Sequence, residues 1–168
     1  MTLIGLCGPA QCGKTSIANA LTSALGLPVE SFANPLKKMA DLVCVPGSSK
    51  SDRREVLVAI GRHYRHHNPN HWIDSLISRL SPEGAIIDDV RYKNEVCRIQ
   101  ELGGIVFHIR REGVFPANDE EANSLREILA DESLASGILF LRNDGTIEDA
   151  AAKVMRVVGE KGAEVFNA

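Results

Sequence analysis

The stretch GLCGPAQCGKTS, residues 5–16, decides the fold of this chain. Gly8, four further residues, Gly13, Lys14 and Thr15 form the G-x-x-x-x-G-K-[ST] pattern, in which a glycine-bearing loop turns its backbone N–H groups around an anion. The pattern predicts a loop that binds nucleotide phosphates. The residues predicted to contact the nucleotide here are Gly8, Ala10, Gln11, Cys12, Gly13, Lys14, Thr15 and Ser16.

The residues on either side of the loop supply the structural setting that this motif requires. Residues 2–7 are a short apolar run that predicts a strand. Apolar residues then recur at helical spacing from Ile17 to Leu25, where Gly26 and Pro28 end the helix. The order strand, loop, helix is that of a nucleotide-phosphate loop and not of a chance glycine turn.

The rest of the chain continues the alternation of strands and helices. Its predicted strands are apolar throughout, which is typical of a parallel sheet covered on both faces. The sequence therefore predicts an α/β fold with a doubly wound, five-stranded parallel sheet and helices on both faces. The predicted strands are 2–7, 29–32, 85–87, 105–109 and 138–141, and the predicted helices are about 17–25, 35–43, 53–66, 71–80, 94–102, 124–130 and 147 onward.

The length of 168 residues, with 44% hydrophobic and 24% charged residues, indicates one globular domain. Within residues 1–168 we expect a helical region at about 35–80 and a polar, turn-rich lid segment at about 111–130. Basic residues concentrate between positions 37 and 65, which indicates a local anion site.

Charge and cysteine content exclude several classes of protein. A net charge of −3 argues against a protein that coats nucleic acid, and we expect no stable nucleic-acid partner. The four cysteines form no C-x-x-C pair, which favours free thiols in a reducing compartment. No leader pattern or membrane-length apolar run is visible, so a cytoplasmic protein with small-molecule partners and no membrane contact is expected. The oligomeric state stays open, with a homodimer as one option.

The chemistry of such a loop requires a lysine, a hydroxyl and a carboxylate. Lys14 is placed to neutralise the β and γ phosphates of ATP, and the Thr15 hydroxyl is placed to ligate Mg²⁺. The sequence IIDDV then offers Asp88 and Asp89 at the end of a strand, the edge where ligands bind in open α/β sheets. One of these two carboxylates is predicted to serve the metal.

Three arginines favour phosphoryl transfer to a small acceptor. A kinase of this kind has to press two anionic phosphates together, which needs several converging cations. Arg91 follows the predicted strand at 85–87, and Arg110 and Arg111 end the strand at 105–109 and open the polar segment. We therefore expect Arg91 and Arg111 to act on the migrating phosphoryl group and Arg110 to contact the donor nucleotide.

Several stretches together resemble the phage deoxynucleoside monophosphate kinases, in the same order along nearly the whole chain. The combination of DVRxxNE, LGG, IRR and NDGT behind an N-terminal phosphate loop is specific. The stretches are SFANPLK (31–37), GRHYR with NPNHW after it (61–72), IIDDVRYKNE (86–95), ELGGIVFHIRR (101–111) and RNDGT (142–146).

That resemblance implies transfer of the γ-phosphate of ATP to a deoxynucleoside monophosphate with Mg²⁺. It favours Asp89, through the Asp-x-Arg pair with Arg91, as the catalytic or metal-linked carboxylate. The implied acceptor-phosphate ligands are Lys37, Arg65 and Arg91, the implied apolar positions near the acceptor nucleoside are Phe32 and Trp72, and the implied residues beside the donor adenine are Asn143 and Gly145. A core role is the alternative for Phe32 and for Trp72.

Alternative interpretations stay open at this point. One alternative is a kinase of the same fold whose acceptor is dephospho-coenzyme A or a modified DNA base. The other is a nucleotide-dependent switch that only hydrolyses its ligand slowly. The lid departs from the family pattern because it carries three acids, Asp119, Glu120 and Glu121. A zinc site in the cluster His63, His66, His67 and His71 lacks obvious further ligands, which favours a phosphate-side or interface role. Two interpretations stay open for Cys12: a structural role in the loop, and a redox switch.

Overall fold

The computed structural model describes residues 1–166 of the chain. Strands and helices alternate as the apolar pattern predicts. The strands are β1 (Thr2–Cys7), β2 (Val29–Glu30), β3 (Gly84–Val90), β4 (Ile105–Arg110) and β5 (Ile138–Arg142). The helices are α1 (Lys14–Leu25), α2 (Asn34–Val43), α3 (Lys50–His67), α4 (His71–Ile77), α5 (Lys93–Glu101), α6 (Asp119–Ala130), α7 (Glu132–Ala135) and α8 (Ile147–Phe166).

The five strands form one sheet in the order β2-β3-β1-β4-β5. β1 pairs in parallel with β3 and with β4, and β4 pairs in parallel with β5. β1 lies at the centre and is buried from Leu3 to Cys7, because helices cover both faces of a doubly wound sheet. The predicted fold class is confirmed. β2 and β3 lie on one side of β1, and β4 and β5 lie on the other. A position where the strand order reverses in this way forms the ligand crevice at the carboxyl ends of the strands.

Two compact units make up the chain. One consists of Met1–Val29 together with the chain from Ser81 onward, and the other consists of Glu30–Leu80. The helical region predicted at about 35–80 falls within the second unit and comprises α2, α3 and α4.

The core of the first unit is apolar and centred on β1. Ile4 and Leu6 of β1 are fully buried and cluster with Ile17 and Leu21 of α1 and Val154 of α8. Burying side chains of this size is the main driving force for folding. This packing fixes the end of β1 against the start of α1, which is where the phosphate loop lies.

α3 and α6 are among the helices that begin earlier than the sequence predicts. α3 begins at Lys50 and not at 53, because Ser49 and Asp52 form a reciprocal capping box with two N–H to side-chain hydrogen bonds of 3.1 Å. α6 begins at Asp119 and not at 124, because the Asn118 side chain accepts the Glu121 N–H at 2.9 Å.

The sequence does not predict the short helix α7, which follows the lid segment at about 111–130. α7 follows α6 directly, and Asp131 caps it through bonds to the N–H groups of Ser133 and Leu134. Because α6 spans Asp119–Ala130, the segment expected to be a polar lid is helical over most of its length.

Within the described residues, no helix has both the length and the apolar character needed to cross a bilayer.

Candidate nucleotide-binding site

The loop between β1 and α1 has the backbone of a tight phosphate-binding turn. Gly8 and Gly13 have φ angles of +134° and +99°, which residues with side chains rarely adopt. A Cβ atom at Gly8 would lie 2.4 Å from the carbonyl oxygen of Ile109, and one at Gly13 would lie 2.3 Å from Nδ2 of Asn143. Both glycines are therefore required by backbone conformation and by space.

The N-terminus of α1 lies at the end of this loop. Gly13 is the N-cap residue, and in the described part of the chain no side chain caps the helix. The first backbone N–H groups of a helix lack intrahelical partners and carry the positive end of the helix dipole. They are consequently available to phosphate oxygens.

The Lys14 side chain folds back over the loop. Its Nζ donates hydrogen bonds to the carbonyl oxygens of Gly8 and Pro9, both at 2.7 Å. These carbonyls hold the ammonium group beside the same loop whose N–H groups are open to an anion. Phosphate oxygens are stronger partners for an ammonium than neutral carbonyls are, so a bound nucleotide would draw Nζ toward itself.

Thr15 and Asp88 meet at the carboxyl edge of the sheet. The Thr15 hydroxyl donates to Oδ2 of Asp88 at 2.8 Å. β3 advances three residues, from Ile87 to Val90, while β1 advances two, from Gly5 to Cys7. This irregularity contains Asp88 and Asp89 and changes the direction of their side chains relative to a regular strand.

The contact with Thr15 favours Asp88 over Asp89 as the metal-linked carboxylate. The family pattern had favoured Asp89. Asp89 is half-buried in the same irregular part of β3. A hydroxyl and a carboxylate oxygen at hydrogen-bond distance are hard oxygen ligands, the kind that Mg²⁺ prefers.

The predicted arginines lie at the ends of the strands in the first unit. Arg91 directly follows β3, and its carbonyl oxygen accepts a hydrogen bond from the Ser124 hydroxyl of α6. Arg110 ends β4, and its guanidinium lies 4.8 Å from the ring centroid of Phe140. Arg111 follows in the turn and is exposed. The structure thus brings Arg91, Arg110 and Arg111 to the carboxyl edge of the sheet, as the strand pattern predicts.

Glu95 holds the turn that carries Arg91. Its buried carboxylate accepts the backbone N–H groups of Arg91 at 2.7 Å and Tyr92 at 3.0 Å. These bonds satisfy N–H groups at the start of α5 and fix where Arg91 leaves the strand. The sequence indicates this contact through Glu95, an acid three residues after Tyr92 at the N-cap of α5.

The acidic lid helix contacts the phosphate loop directly. Glu121 of α6 accepts the backbone N–H of Ala10 at 3.0 Å through one oxygen and that of Ala117 at 2.7 Å through the other. The neighbouring Glu120 instead accepts the Tyr92 hydroxyl at 3.4 Å. An anion of the lid therefore occupies an N–H group of the loop that is predicted to bind nucleotide.

Replacing Glu121 by Gln should strengthen nucleotide binding about fivefold. The substitution removes one negative charge beside a loop that is predicted to bind a polyphosphate, and such repulsion between partly solvated charges amounts to ~1 kcal/mol. Titration with a fluorescent ATP analogue measures the affinity, and the gain should shrink at high salt.

Glu120→Gln is the matched control for that prediction. It makes the same change of charge one residue away, where the carboxylate accepts the Tyr92 hydroxyl. Equal gains in the two variants would show a general charge effect and contradict a specific role of the Glu121 contact.

His108 of β4 is buried beside the site. Its ring lies edge-on to Phe140 with centroids 5.4 Å apart, and within the described residues its Nδ1 has no hydrogen-bond partner. Burial, together with smaller contributions from the nearby Arg110 and Lys14 cations, lowers the pKa of His108 to about 4. The imidazole is consequently neutral near pH 7 and adds no charge to the phosphate site.

This burial predicts a loss of stability in acid. The unfolded chain protonates His108 near pH 6.5 and the folded chain only near 4, so the free energy of unfolding falls as the pH falls from about 6.5 to 4. The loss attributable to His108 should reach about 3 kcal/mol at most. The free energy of unfolding, measured with urea, should differ less between pH 7 and pH 4.5 in His108→Leu than in the wild type. The exposed His66→Asn control should retain the full difference, and an unchanged difference in His108→Leu would contradict this assignment.

Asn143 lies against the phosphate loop. Its buried side chain donates from Nδ2 to the carbonyl oxygen of Cys12 at 2.9 Å. Beyond it, Asp144 accepts the Glu112 N–H at 2.8 Å and pairs with Arg142 at 2.6 Å, contacts that lower the pKa of its carboxyl. Gly145 is exposed next to them.

Four of the five predicted acceptor residues lie in the second unit and two of these four are buried, whereas Arg91 belongs to the first unit. Trp72 is 2% exposed and donates its indole N–H to the Gly61 carbonyl at 3.4 Å, and Phe32 is 3% exposed. These positions support the core role for both aromatic residues. Lys37 is exposed on α2, and Arg65 is half-buried on α3, where its guanidinium lies over Gly61.

The histidine cluster forms ring contacts and not a metal site. The rings of His63 and His67 are 4.9 Å apart, and the His71 ring lies 4.4 Å from that of Tyr64. Among the side chains that the structure describes, no group of three or more His, Cys, Asp or Glu residues is arranged to hold a metal ion. A magnesium site at Thr15 and Asp88 needs fewer protein ligands because phosphates and water complete it.

All four cysteines are free thiols, as predicted. Burial raises the pKa of Cys7 to about 12, and it also raises the pKa of Cys12, against the opposing effect of Lys14. Because the thiolate is the reactive form of cysteine, the raised pKa of Cys12 favours a structural role over a redox role.

Comparison with known proteins supports this description of the fold. No protein-family model matches the sequence. A protein of Acanthamoeba polyphaga mimivirus, named "Putative deoxynucleotide monophosphate kinase", is 29% identical and is matched over 94% of this chain and 96% of its own length.

Several solved structures share the fold at low sequence identity. Shikimate kinase from Aquifex aeolicus superposes with a TM-score of 0.59 at 13% identity, covering 96% of this chain and 98% of that one. Shikimate kinase from Acinetobacter baumannii, solved with shikimate, gives 0.56 at 17% identity over 95% and 93%. A gluconokinase from Sinorhizobium meliloti gives 0.53 at 14% identity over 98% and 95%. The chain therefore has the fold of the P-loop kinases.

Proposed function

We propose that this protein transfers the γ-phosphate of ATP to a deoxynucleoside monophosphate and releases the diphosphate. The proposal of phosphoryl transfer rests on one observation: Lys14, Thr15 and Asp88 surround the N-terminus of α1 at the carboxyl edge of the sheet. The similarity to the mimivirus protein, which extends over nearly the full length of both chains, supports the choice of acceptor.

The donor phosphates bind to the phosphate loop. The open N–H groups at the start of α1 hold the phosphate oxygens, and the Lys14 ammonium exchanges its bonds to Gly8 and Pro9 for bonds to the β and γ phosphates. Because the backbone N–H groups are fixed before the nucleotide arrives, they stabilise the negative charge of the transition state with little reorganisation.

Thr15 and Asp88 are the residues that would hold Mg²⁺. Their two oxygens lie together at the edge where the phosphates bind. When bound, the ion would neutralise the phosphate oxygens and stabilise the transferring group. The hydrogen bond between the two side chains keeps both oxygens on the same side of the loop.

Lys37 and Arg65 are proposed to bind the acceptor phosphate. Arg91 and Arg111 are proposed to stabilise the charge on the transferring phosphoryl group. An acceptor monophosphate is already ionised, so this reaction needs cations more than it needs a general base. Arg110 and Gly145 would lie near the donor nucleotide. Asp89 keeps a candidate role as a second carboxylate beside Asp88.

The decisive experiment presents each acceptor in turn. The protein is mixed with ATP, Mg²⁺ and one of the four deoxynucleoside monophosphates, and the diphosphate product is measured by chromatography. Formation of ADP with no phosphorylated acceptor would favour a nucleotide-dependent switch. Transfer to a hydroxyl acceptor and to none of the monophosphates would favour a kinase with another acceptor, such as dephospho-coenzyme A or a modified DNA base.

Arg65→Ala should mainly weaken acceptor binding. Loss of a charge-assisted bond to phosphate predicts a roughly 10- to 100-fold increase of the acceptor KM, with the KM for ATP unchanged. Steady-state kinetics with either substrate varied would measure both constants. Arg54→Ala removes an exposed arginine from the same helix and should leave both constants as they are. An acceptor KM within twofold of wild type in Arg65→Ala would exclude the residue from the acceptor site.

A further inference from the structure

Asn143 ties three parts of the first unit together. It follows Arg142, the last residue of β5, and its side chain is only 2% exposed. Its backbone N–H donates to the carbonyl oxygen of Arg110 at the end of β4, at 2.7 Å. Its Nδ2 donates to the carbonyl oxygen of Cys12 in the phosphate loop, at 2.9 Å. One residue therefore joins the ends of two strands to the loop.

The bond to Cys12 fixes the orientation of the Asn143 amide. A carbonyl oxygen only accepts hydrogen bonds, so the NH₂ group of the amide must face it. This orientation leaves Oδ1 of Asn143 buried and, in the part of the chain that the structure describes, without a partner. A buried carbonyl without a donor destabilises the folded state. An apolar side chain would pack here without an unsatisfied carbonyl. The contribution of Asn143 is therefore the hydrogen bond that it donates to Cys12.

That bond controls the direction of a loop N–H group. The carbonyl of Cys12 and the N–H of Gly13 belong to one planar peptide group, and the structure contains no cis peptide among its described residues. In a trans peptide these two groups point in opposite directions. A side chain that holds the Cys12 carbonyl toward β5 therefore turns the Gly13 N–H away from β5.

The missing side chain of Gly13 makes this contact possible. A Cβ atom there would come within 2.3 Å of Asn143 Nδ2, so the amide fits against the peptide only because residue 13 is glycine. Gly13 is also the N-cap of α1, at the place where the donor phosphates are proposed to bind.

We infer that Asn143 is a positioning residue for phosphate: by holding the Cys12 carbonyl, it aims the Gly13 N–H at the donor phosphates. The inference rests on the proposed use of the loop and assigns Asn143 a different role from that of a contact with the donor adenine. An adenine contact would be made to the base, whereas a positioning role acts on any polyphosphate.

Inorganic tripolyphosphate separates these roles because it has no base. Binding of a fluorescent ATP analogue is measured directly, and tripolyphosphate is measured by competition against it, well below the melting temperature. Asn143→Leu, which keeps the size but removes the donor, should weaken both ligands by a similar factor of about ten. Asn143→Ala provides a second variant with less steric demand and should show the same parallel loss.

Val154→Ala is the control for general destabilisation. Val154 is fully buried in the same core but lies on α8, and its substitution should lower the melting temperature while leaving both affinities unchanged. A loss confined to the ATP analogue in the Asn143 variants would indicate an adenine contact and overturn the inference. So would wild-type affinities in those variants, or an equal loss in Val154→Ala.

The binding experiment is independent of the acceptor. Parallel losses in the Asn143 variants support the positioning role even if no deoxynucleoside monophosphate is phosphorylated. If the wild type binds neither the ATP analogue nor tripolyphosphate, the proposed function and the inference both fail.

Discussion

Lys14→Ala should abolish phosphoryl transfer to every acceptor, with kcat/KM falling by at least about 10³-fold. The ammonium is the cation that the structure holds directly on the phosphate loop, through the carbonyls of Gly8 and Pro9. Without it, the charge that develops on the transferring group is left to the backbone N–H groups alone. Formation of ADP and of phosphorylated acceptor, each followed separately, measures the loss.

Two comparisons make the Lys14 result interpretable. Lys153→Ala removes an exposed lysine of α8 in the same unit and should retain wild-type transfer. Thermal unfolding of Lys14→Ala should show that it folds, because its partners are carbonyls that water can satisfy. Transfer within tenfold of wild type would mean that Lys14 does not contact the migrating phosphoryl group.

Asp88→Asn should lower kcat by about 10²–10³-fold and raise the Mg²⁺ concentration needed for half-maximal rate. The Asp88 carboxylate contacts the Thr15 hydroxyl at 2.8 Å, and an amide is a weaker, uncharged ligand for a hard cation. Rates measured over a series of Mg²⁺ concentrations at saturating ATP separate the two effects.

Asp89→Asn is the natural counterpart, since it changes the neighbouring carboxylate of the same strand. We expect its effect on the Mg²⁺ requirement to be much smaller than that of Asp88→Asn. The reverse ranking would restore the assignment that the family pattern favours and would show that the contact with Thr15 is not the metal site.

Local sequence signals account for most of the fold. Apolar runs and glycine or proline breaks predict β1, β3, β4 and β5, because a buried parallel strand needs an unbroken apolar run. The two-residue β2 contains Glu30 and lies within the short extended piece predicted at 29–32. The helix starts at Lys50 and Asp119 were placed too late. In both cases the start depends on a capping side chain, Ser49 or Asn118, which is polar and resembles a loop residue in the sequence.

The candidate site was predicted only in part. Gly8, Gly13, Lys14 and Thr15 are close in the chain and were identified from their spacing alone. The aromatic residues Phe32 and Trp72 resembled ligand contacts but are buried, and a single sequence does not distinguish an apolar contact from core packing.

The phosphate loop can be predicted from the order of residues alone, because its conformation depends on glycines and on a helix start within a few residues of one another. Folding brings three distant side chains to that loop: Asp88, Glu121 and Asn143, the last of these 131 positions from Cys12. The physical reason is that these contacts depend on the irregular advance of β3 along β1, on the packing of α6 and on the end of β5. Such features are fixed by the folded sheet and by no local pattern of residues.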